Sequence, residues 1–295
     1  MEGAYYNGQY LNRLERLGYS QAEIDNKLES TFEEMFYGPE GVRLCHCAGP
    51  DMMYIEDTGN HDVRTEGMSY AMMFCVQMNR QKEFDCLWRW VVTHMYLTEG
   101  ENAGYFAWSC HTDGSKNSDG PAPDGEEFFA MSLFFAANRW GSGEGVLDYA
   151  SWARRILHAC VHKGEEAGSG FPMWNPENHL IKFIPNCEFT DPSYHLPHFY
   201  ELFALWSDEC DRPFWHAAAA ASRQYLRKAC HARTGLSAEY AEYDGRPHRG
   251  DQPDRHDWFF SDAYRTLGNI ALDAQWFGDK DGWAQETAAH IQQFF

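Results

Sequence analysis

The sequence is poor in basic residues and has no long apolar segment. Of its 295 residues, 24 are Lys or Arg and 44 are Asp or Glu, which gives a formal net charge of −20. Nucleic acids and anionic membrane surfaces attract basic patches, so this charge argues against both as partners. No run approaches 18 apolar residues, and the first 30 residues are polar, without a signal-peptide core. We therefore expect neither a nucleic acid nor a membrane as a partner.

The nine cysteines are odd in number and scattered along the chain. Without a visible secretion signal, this distribution predicts reduced thiols and a cytoplasmic location. Only Cys45, His46 and Cys47 form a close cluster, and no Cys-x-x-Cys pair accompanies it. A zinc site there is a minor alternative, and we predict no metal.

Pairs of helices recur along the chain, and no linker divides it, so residues 1–295 are predicted to form a single domain. In each pair a segment that is apolar on all sides, typical of a buried helix, precedes a segment with one apolar stripe, typical of a surface helix. The buried segments are 66–79, 128–137, 199–206 and 263–276. The striped segments are 84–95, 144–162, 213–229 and 281–295. Two earlier helices are predicted at 5–17 and 20–37, where Ser20 and Glu23 form a capping box.

This alternation predicts an all-α fold, an (α/α)6-type toroid barrel with two concentric layers. The count is about ten helices, or five hairpins, whereas closed barrels of this kind are expected to have six. We therefore expect that the last hairpin is missing and that the barrel is C-terminally truncated. A complete barrel of five hairpins is the alternative.

A polar residue precedes or begins each buried helix: Glu66, Asp124, Tyr194 and Asp262. Three long loops, 98–123, 163–196 and 231–259, lie between the hairpins, and loops of this length are usually functional. If the buried helices run parallel, their N-termini converge and these four side chains line one cleft. The alternative role for each acid is a helix cap or a partner of the helix dipole.

Four segments in order resemble the catalytic segments of glycoside hydrolase family 8. They are Thr65-Glu-Gly-Met-Ser-Tyr70, Ala122-Pro-Asp-Gly-Glu-Glu127, Asp191-Pro-Ser-Tyr194 and Ser261-Asp-Ala-Tyr-Arg265. The resemblance covers essentially the whole chain. Within that family, the longer runs around these segments are most similar to the reducing-end xylose-releasing exo-oligoxylanases. The family's barrel has six hairpins, which agrees with the expectation that one is absent here.

The resemblance implies an inverting glycosidase that works by general acid and base catalysis. Such enzymes need two carboxyl groups about 6.5–9.5 Å apart, with room for a water molecule. By resemblance, Glu66 is the general acid, Asp262 is the general base and Tyr194 positions the water. Asp124 is expected to hold sugar hydroxyls and to keep Glu66 protonated by like-charge repulsion, together with desolvation. Arg265, one turn after Asp262, is expected to hold that acid ionised or to form a surface ion pair.

Aromatic residues make up 16% of the chain, and two tryptophans in the loops are candidate platforms for sugar stacking. Trp108 lies in a stretch that resembles a substrate-lining strand, and Trp174 lies in the loop before Tyr194. Core packing is the alternative for both. No metal or organic cofactor is implied, because an acid–base pair is sufficient for the reaction.

The predicted function is release of xylose from the reducing end of short xylo-oligosaccharides. An endo-acting cellulase, chitosanase or xylanase of the same family is one alternative. An inactive fragment that only binds sugar is the other. The sequence does not determine the oligomeric state.

Overall fold

The computed structural model describes residues 2–165, 169–250 and 255–295, and within these ranges the chain forms eleven α-helices. In chain order they are α1 (Ala4–Asn7), α2 (Arg13–Arg16), α3 (Gln21–Tyr37), α4 (Thr65–Gln77), α5 (Gln81–Trp90), α6 (Pro123–Trp140), α7 (Tyr149–His162), α8 (Pro197–Trp206), α9 (Arg212–Ala229), α10 (Arg265–Phe277) and α11 (Trp283–Phe294). A π-helical turn at Val91–Met95 extends α5, and 3₁₀ turns lie at Gly145–Leu147, Pro192–Tyr194 and Ser261–Tyr264. None of the described helices is both long enough and apolar enough to cross a membrane.

Consecutive helices from α4 onward pack as hairpins: α4 with α5, α6 with α7, α8 with α9 and α10 with α11. The first helix of each pair also contacts the first helix of the next pair, so α4, α6, α8 and α10 form an inner layer. The inner helix α6 buries residues on every side, whereas α7 buries a single stripe. This arrangement confirms the predicted (α/α) architecture with buried and surface layers.

The inner helix α6 begins at Pro123, five residues before the predicted segment at 128–137. Three acids in its first two turns, Asp124, Glu126 and Glu127, are buried, so the apolar pattern that marks the rest of the helix is interrupted there. Proline is well suited to the first turn of a helix, because backbone N–H groups there make no hydrogen bond within the helix and proline has no N–H. The first two turns of α6 therefore place acidic side chains in the interior, where the rest of the helix places apolar ones.

The predicted helix at 5–17 is wrong. Gly8 adopts a left-handed conformation with φ of 69° and ends α1, and the Asn12 side chain caps the separate helix α2. Helix α1 packs against α10, with the rings of Tyr5 and Phe277 5.1 Å apart. The described residues thus contain four helical hairpins, preceded by α3, instead of the predicted five.

Two short antiparallel sheets lie beside the inner layer. Strand β1 (Cys45–Cys47) pairs with β2 (Met53–Ile55), and β3 (Asp62–Arg64) pairs with β4 (Ser109–His111). Strand β3 runs directly into α4, and the N–H of Thr65 donates a 3.0 Å hydrogen bond to the carbonyl oxygen of Trp108. This sheet therefore fixes the position of the first turn of α4.

Several apolar side chains remain accessible on the described surface. Phe74, on the inner helix α4, is 45% exposed, and Tyr6 and Tyr10 are 62% and 66% exposed. Trp276 and Trp283 are half-buried. The absence of a sixth hairpin and the single-domain assignment of 1–295 stay predictions.

Candidate active site

Arg265, the first residue of α10, joins three inner helices at one end of the molecule. Its Nη1 donates hydrogen bonds to Asp124 Oδ2 at 2.9 Å and to the Tyr70 hydroxyl at 2.7 Å. Its Nη2 forms an ion pair with Asp262. The N-terminal ends of α4, α6 and α10 therefore converge, as the sequence pattern predicts.

Glu66 and Asp262 line one cavity of about 430 Å³, together with Arg265 and Tyr264. Glu66 lies in the first turn of α4, and the Thr65 hydroxyl donates a 3.2 Å hydrogen bond to its Oε2. Asp262 lies in the 3₁₀ turn that precedes α10. Two carboxyl groups carried by different hairpins thus face the same space.

The pKa of Glu66 is raised from its ordinary value to about 7. Burial is the main cause, because it disfavours the charged carboxylate, and the negative charge of Asp124 adds to it. The guanidinium of Arg265 opposes the rise. Desolvation therefore raises this pKa more than the like-charge repulsion from Asp124 does. A carboxyl group with this pKa retains a proton near neutral pH.

Asp124 is 3% exposed, and its negative charge contributes to the raised pKa of Glu66. Burial raises the pKa of Asp124, but its carboxylate accepts one hydrogen bond from Arg265 and another, at 3.0 Å, from the N–H of Gly125. Among the described residues, the Thr65 hydroxyl is the one side-chain donor to Glu66. Because donors stabilise an ionised carboxylate, the proton of the coupled pair resides on Glu66.

Asp262 is much more accessible than Asp124, with 39% of its side chain exposed. The residue before it, Ser261, has a φ of 41°, in the left-handed region that side-chain-bearing residues rarely adopt. Strained backbone of this kind often accompanies a functional position. The turn presents an acid to solvent while Arg265 holds it in an ion pair.

Tyr194 ends the 3₁₀ turn at Pro192–Tyr194 and is buried, with its ring 5.8 Å from the Arg265 guanidinium carbon. Burial raises the pKa of its hydroxyl well above the ordinary value, so the phenol stays neutral. Asn269 Nδ2 on α10 donates a 2.7 Å hydrogen bond to the carbonyl oxygen of Ser193. This contact fixes the Tyr194 turn against the helix that carries Arg265.

The two predicted stacking tryptophans have different positions. Trp108 is half-buried, and the guanidinium carbon of Arg64 lies 5.0 Å from its ring centroid, so one face of the ring is already covered. Trp174 is 1% exposed and packs edge to face against Trp215 and Tyr200, with ring centroids 4.9 and 5.7 Å away. This enclosure favours the core-packing alternative for Trp174, and its role in substrate binding stays a prediction.

Three further polar residues belong to this region and were not identified from the sequence. Tyr70 accepts a hydrogen bond from Arg265, and buried Glu127 accepts one from the Tyr200 hydroxyl. Asp191 is buried, and desolvation raises its pKa to about 8. Helical spacing was the available signal for two of them, since Tyr70 lies four residues after Glu66 and Glu127 three residues after Asp124.

The cluster Cys45-His46-Cys47 does not converge on one point. Side chains alternate along a strand, so Cys45 and Cys47 lie on one side of β1 and His46 on the other. His46 Nε2 lies 3.3 Å from Glu56 Oε2. The described residues near this strand therefore form a histidine–carboxylate pair rather than the tetrahedral set that zinc requires.

Comparisons with known proteins agree with this geometry. The model of glycosyl hydrolases family 8 matches residues 19–295. The chain is 55% identical, over 295 residues, to the reducing end xylose-releasing exo-oligoxylanase of Halalkalibacterium halodurans, covering 100% of this chain and 75% of that protein. A more distant relative, Endoglucanase 2 of Ruminiclostridium josui, is 27% identical over 269 residues, covering 89% of this chain and 53% of that protein.

A solved structure has the same fold. The enzyme named reducing-end xylose-releasing exo-oligoxylanase of Paenibacillus barcinonensis, complexed with xylose, superposes with a TM-score of 0.97 at 56% identity. The match covers 100% of this chain and 78% of that one. A variant of the same enzyme has been solved in complex with an arabinofuranosyl-xylotetraose. Because the family model matches nearly the whole chain and relatives are more than one half identical to it, the chain belongs to glycosyl hydrolases family 8.

Proposed function

We propose that this protein hydrolyses short xylo-oligosaccharides and releases xylose from their reducing end, with inversion at the anomeric carbon. One observation carries the chemistry: Glu66, whose pKa is raised to about 7, shares a cavity with the solvent-facing acid Asp262. Acid–base hydrolysis needs one protonated and one ionised carboxyl group. The substrate is proposed by analogy with relatives that are more than one half identical to this chain.

In the proposed mechanism, Glu66 donates its proton to the glycosidic oxygen as the bond to the anomeric carbon breaks. The leaving group then departs as a neutral alcohol. A general acid is most effective when its pKa lies near the working pH, and the burial of Glu66 beside Asp124 supports such a value.

Asp262 is the proposed general base. It removes a proton from a water molecule that attacks the anomeric carbon from the side opposite to the leaving group. Its exposure gives water access, and the ion pair with Arg265 holds its side chain at the cavity. The neutral Tyr194 hydroxyl is proposed to orient this water.

Asp124 and Arg265 are proposed to hold the sugar at the point of cleavage. Asp124 keeps acceptor capacity beyond its bonds to Arg265 and Gly125, because an ionised carboxylate has about four lone-pair sites. The Nε of Arg265 is buried and has no hydrogen-bond partner among the described residues, so Arg265 is proposed to act on the sugar by holding Asp124 in place through its Nη1. Trp108 is proposed to contact the sugar through the face that Arg64 leaves open.

The experiment is digestion of xylotriose, followed by proton NMR in the first minutes and by product analysis. Inverting hydrolysis of a β-linked oligosaccharide produces the α-anomer first, before mutarotation. Labelling the reducing-end sugar of xylotriose identifies which residue is released. Labelled xylose with unlabelled xylobiose supports the proposal, while initial β-anomer or release of unlabelled xylose contradicts it.

An endo-acting enzyme is the second candidate, favoured by the 27% identity to Endoglucanase 2. Incubation with long xylan, carboxymethyl cellulose or chitosan separates the two candidates. A rapid fall in viscosity of any of these polymers indicates internal cleavage, whereas slow release of monosaccharide alone indicates cleavage at a chain end.

A cytoplasmic location is part of the proposal. All nine cysteines are free thiols, and six of them are buried, as in proteins of reducing compartments. Fractionation of the producing cells, with the activity measured in each fraction, tests this assignment.

A further inference from the structure

Two histidines and an aspartate converge on the outer surface, on residues that the proposed reaction does not use. His158 and His162 lie one turn apart on α7, and Asp211 lies immediately before α9. One ligand atom from each residue can be chosen so that all three lie within 4.8 Å of one another. We propose that this cluster is a binding site for a divalent transition metal such as Zn²⁺, which joins α7 to the start of α9.

The donor set suits zinc in kind and in spacing. Zinc binds imidazole nitrogen and carboxylate oxygen at about 2.0–2.2 Å, and three protein ligands with a water molecule complete a tetrahedron. Histidines at positions i and i+4 of a helix lie on the same face, so both rings of α7 are directed to one side. The centroids of the two rings are 4.5 Å apart.

Asp211 provides the argument that the cluster binds a ligand. Its side chain is 2% exposed, and its Oδ2 has no hydrogen-bond partner in the described structure. That oxygen lies 3.6 Å from His158 Nδ1, too far for a hydrogen bond. A buried carboxylate oxygen without a donor is costly, and a cation placed between it and the two rings would compensate that cost.

The surroundings of His162 support the same conclusion. Its Nε2 lies 2.7 Å from Asp211 Oδ1, while its Nδ1 lies 2.8 Å from Glu165 Oε2. Histidines that bind metals commonly donate their other ring N–H to a carboxylate, which fixes the orientation of the ring. Glu165 is in this position, and a metal bound through Nε2 would replace the contact with Asp211.

Access from solvent is open, since the His158 and His162 side chains are 40% and 27% exposed. In contrast, Asp211 is held in the turn between α8 and α9. The metal would therefore connect two elements of the outer layer, and its expected effect is on stability rather than on the hydrolytic step. Binding to the folded state alone raises the melting temperature as the metal concentration rises.

The test uses the 295-residue chain stripped with EDTA and titrated with ZnCl₂ by calorimetry. A thermal-shift series over the same metal concentrations accompanies it. One equivalent bound, with a melting temperature that rises with Zn²⁺ and returns after EDTA, is the expected result. His158→Gln and His162→Gln should each abolish the saturable binding. Because both side chains are partly exposed, these variants should fold normally, which circular dichroism checks.

Two further variants test which other residues take part in the proposed Zn²⁺ site. Glu165→Gln should weaken binding by about 10–100-fold without abolishing it, as expected for a residue that orients a ligand. His216→Gln is the matched control and should bind Zn²⁺ normally, since His216 on α9 lies 3.5 Å from Glu201 and belongs to no three-ligand group among the described residues. No saturable binding in the wild-type chain, or binding that survives both His158→Gln and His162→Gln, would overturn the proposal.

Discussion

Arg265 and Asp124 are 141 residues apart in the sequence, yet a 2.9 Å hydrogen bond joins the guanidinium to the buried carboxylate. The same guanidinium pairs with Asp262, so one cation lies between two acids from different hairpins. Burial lowers the pKa of Arg265, but the surrounding acids and phenols outweigh that effect and raise it. The arginine therefore stays charged, and its charge opposes the effect of burial on the pKa of Glu66 and of Asp124.

The proposed acid and base should respond differently to the leaving group. Glu66→Gln cannot protonate the glycosidic oxygen, so we expect a loss of about 10²–10⁴-fold in kcat on xylotriose. Xylobiosyl fluoride has a leaving group that needs little protonation, so its hydrolysis should be much less affected. Steady-state kinetics on both substrates measure the difference.

Asp262→Asn is the matched comparison. Activation of water is needed whatever the leaving group, so this variant should slow both substrates to a similar extent. Equal losses on both substrates for Glu66→Gln would exclude its role as the acid.

The pH profile should report the pKa of Glu66. Because the acid must be protonated, kcat/KM should fall as the pH rises through about 7. Asp124→Asn removes a like charge, so the alkaline limb should move to lower pH. Burial still acts, and the limb should therefore stay above the ordinary glutamate value of 4.5. If the alkaline limb of Asp124→Asn stays in place or moves to higher pH, the charge of Asp124 does not raise the pKa of Glu66. This conclusion holds whatever the maximum value of kcat/KM in the variant.

Alanine substitutions of Trp108 and Trp174 should affect different properties, substrate binding for the first and stability for the second. Trp108 is half-buried and stacks with Arg64, which lines the cavity, so with the proposed contact to the sugar Trp108→Ala should mainly raise KM. Trp174 is enclosed by aromatic rings, so Trp174→Ala should lower the free energy of unfolding by about 3–5 kcal/mol. Urea denaturation and steady-state kinetics of both variants give the comparison. A larger loss of stability in Trp108→Ala than in Trp174→Ala would reverse the two assignments.

His195 should contribute to destabilisation at acid pH. Burial lowers the pKa of its imidazole from 6.5 to about 3 in the folded protein, and its two ring nitrogens contact the hydroxyls of Thr190 and Ser222. Between those pH values the unfolded chain binds a proton that the folded chain does not. The free energy of unfolding should therefore fall as the pH falls, by about 1.4 kcal/mol per pH unit for this group.

His195→Gln removes the titrating group while it retains hydrogen-bonding capacity at this position. The stability difference between wild type and His195→Gln should shift by about 2 kcal/mol between pH 7 and pH 5, in favour of the variant at the lower pH. Urea denaturation at both pH values measures it. A difference that is independent of pH would show that the pKa of His195 is the same in the folded and unfolded states and would contradict this prediction.

Local sequence determined most of the helices and their layers. Apolar residues on all sides of 66–79 and 199–206, and single stripes on 144–162 and 213–229, correspond closely to the observed inner and outer helices. The pattern of apolar residues around a helix shows which of its faces are buried, and the number of buried faces assigns the helix to the inner or the outer layer. The same reasoning failed at 5–17, where a left-handed glycine and an asparagine cap divide the segment.

The ionisation of the site was decided only by the tertiary structure. The sequence and its family resemblance placed Glu66, Asp124, Tyr194, Asp262 and Arg265 at the ends of helices. It did not show that burial is the main cause of the raised pKa of Glu66, or that Arg265 joins Asp124 to Asp262. Trp174 is a second example, because its position in a long loop did not show whether its ring is open to a sugar or enclosed by Trp215 and Tyr200. Desolvation and enclosure depend on atoms that come from distant parts of the chain, and these meet only when the helices have packed.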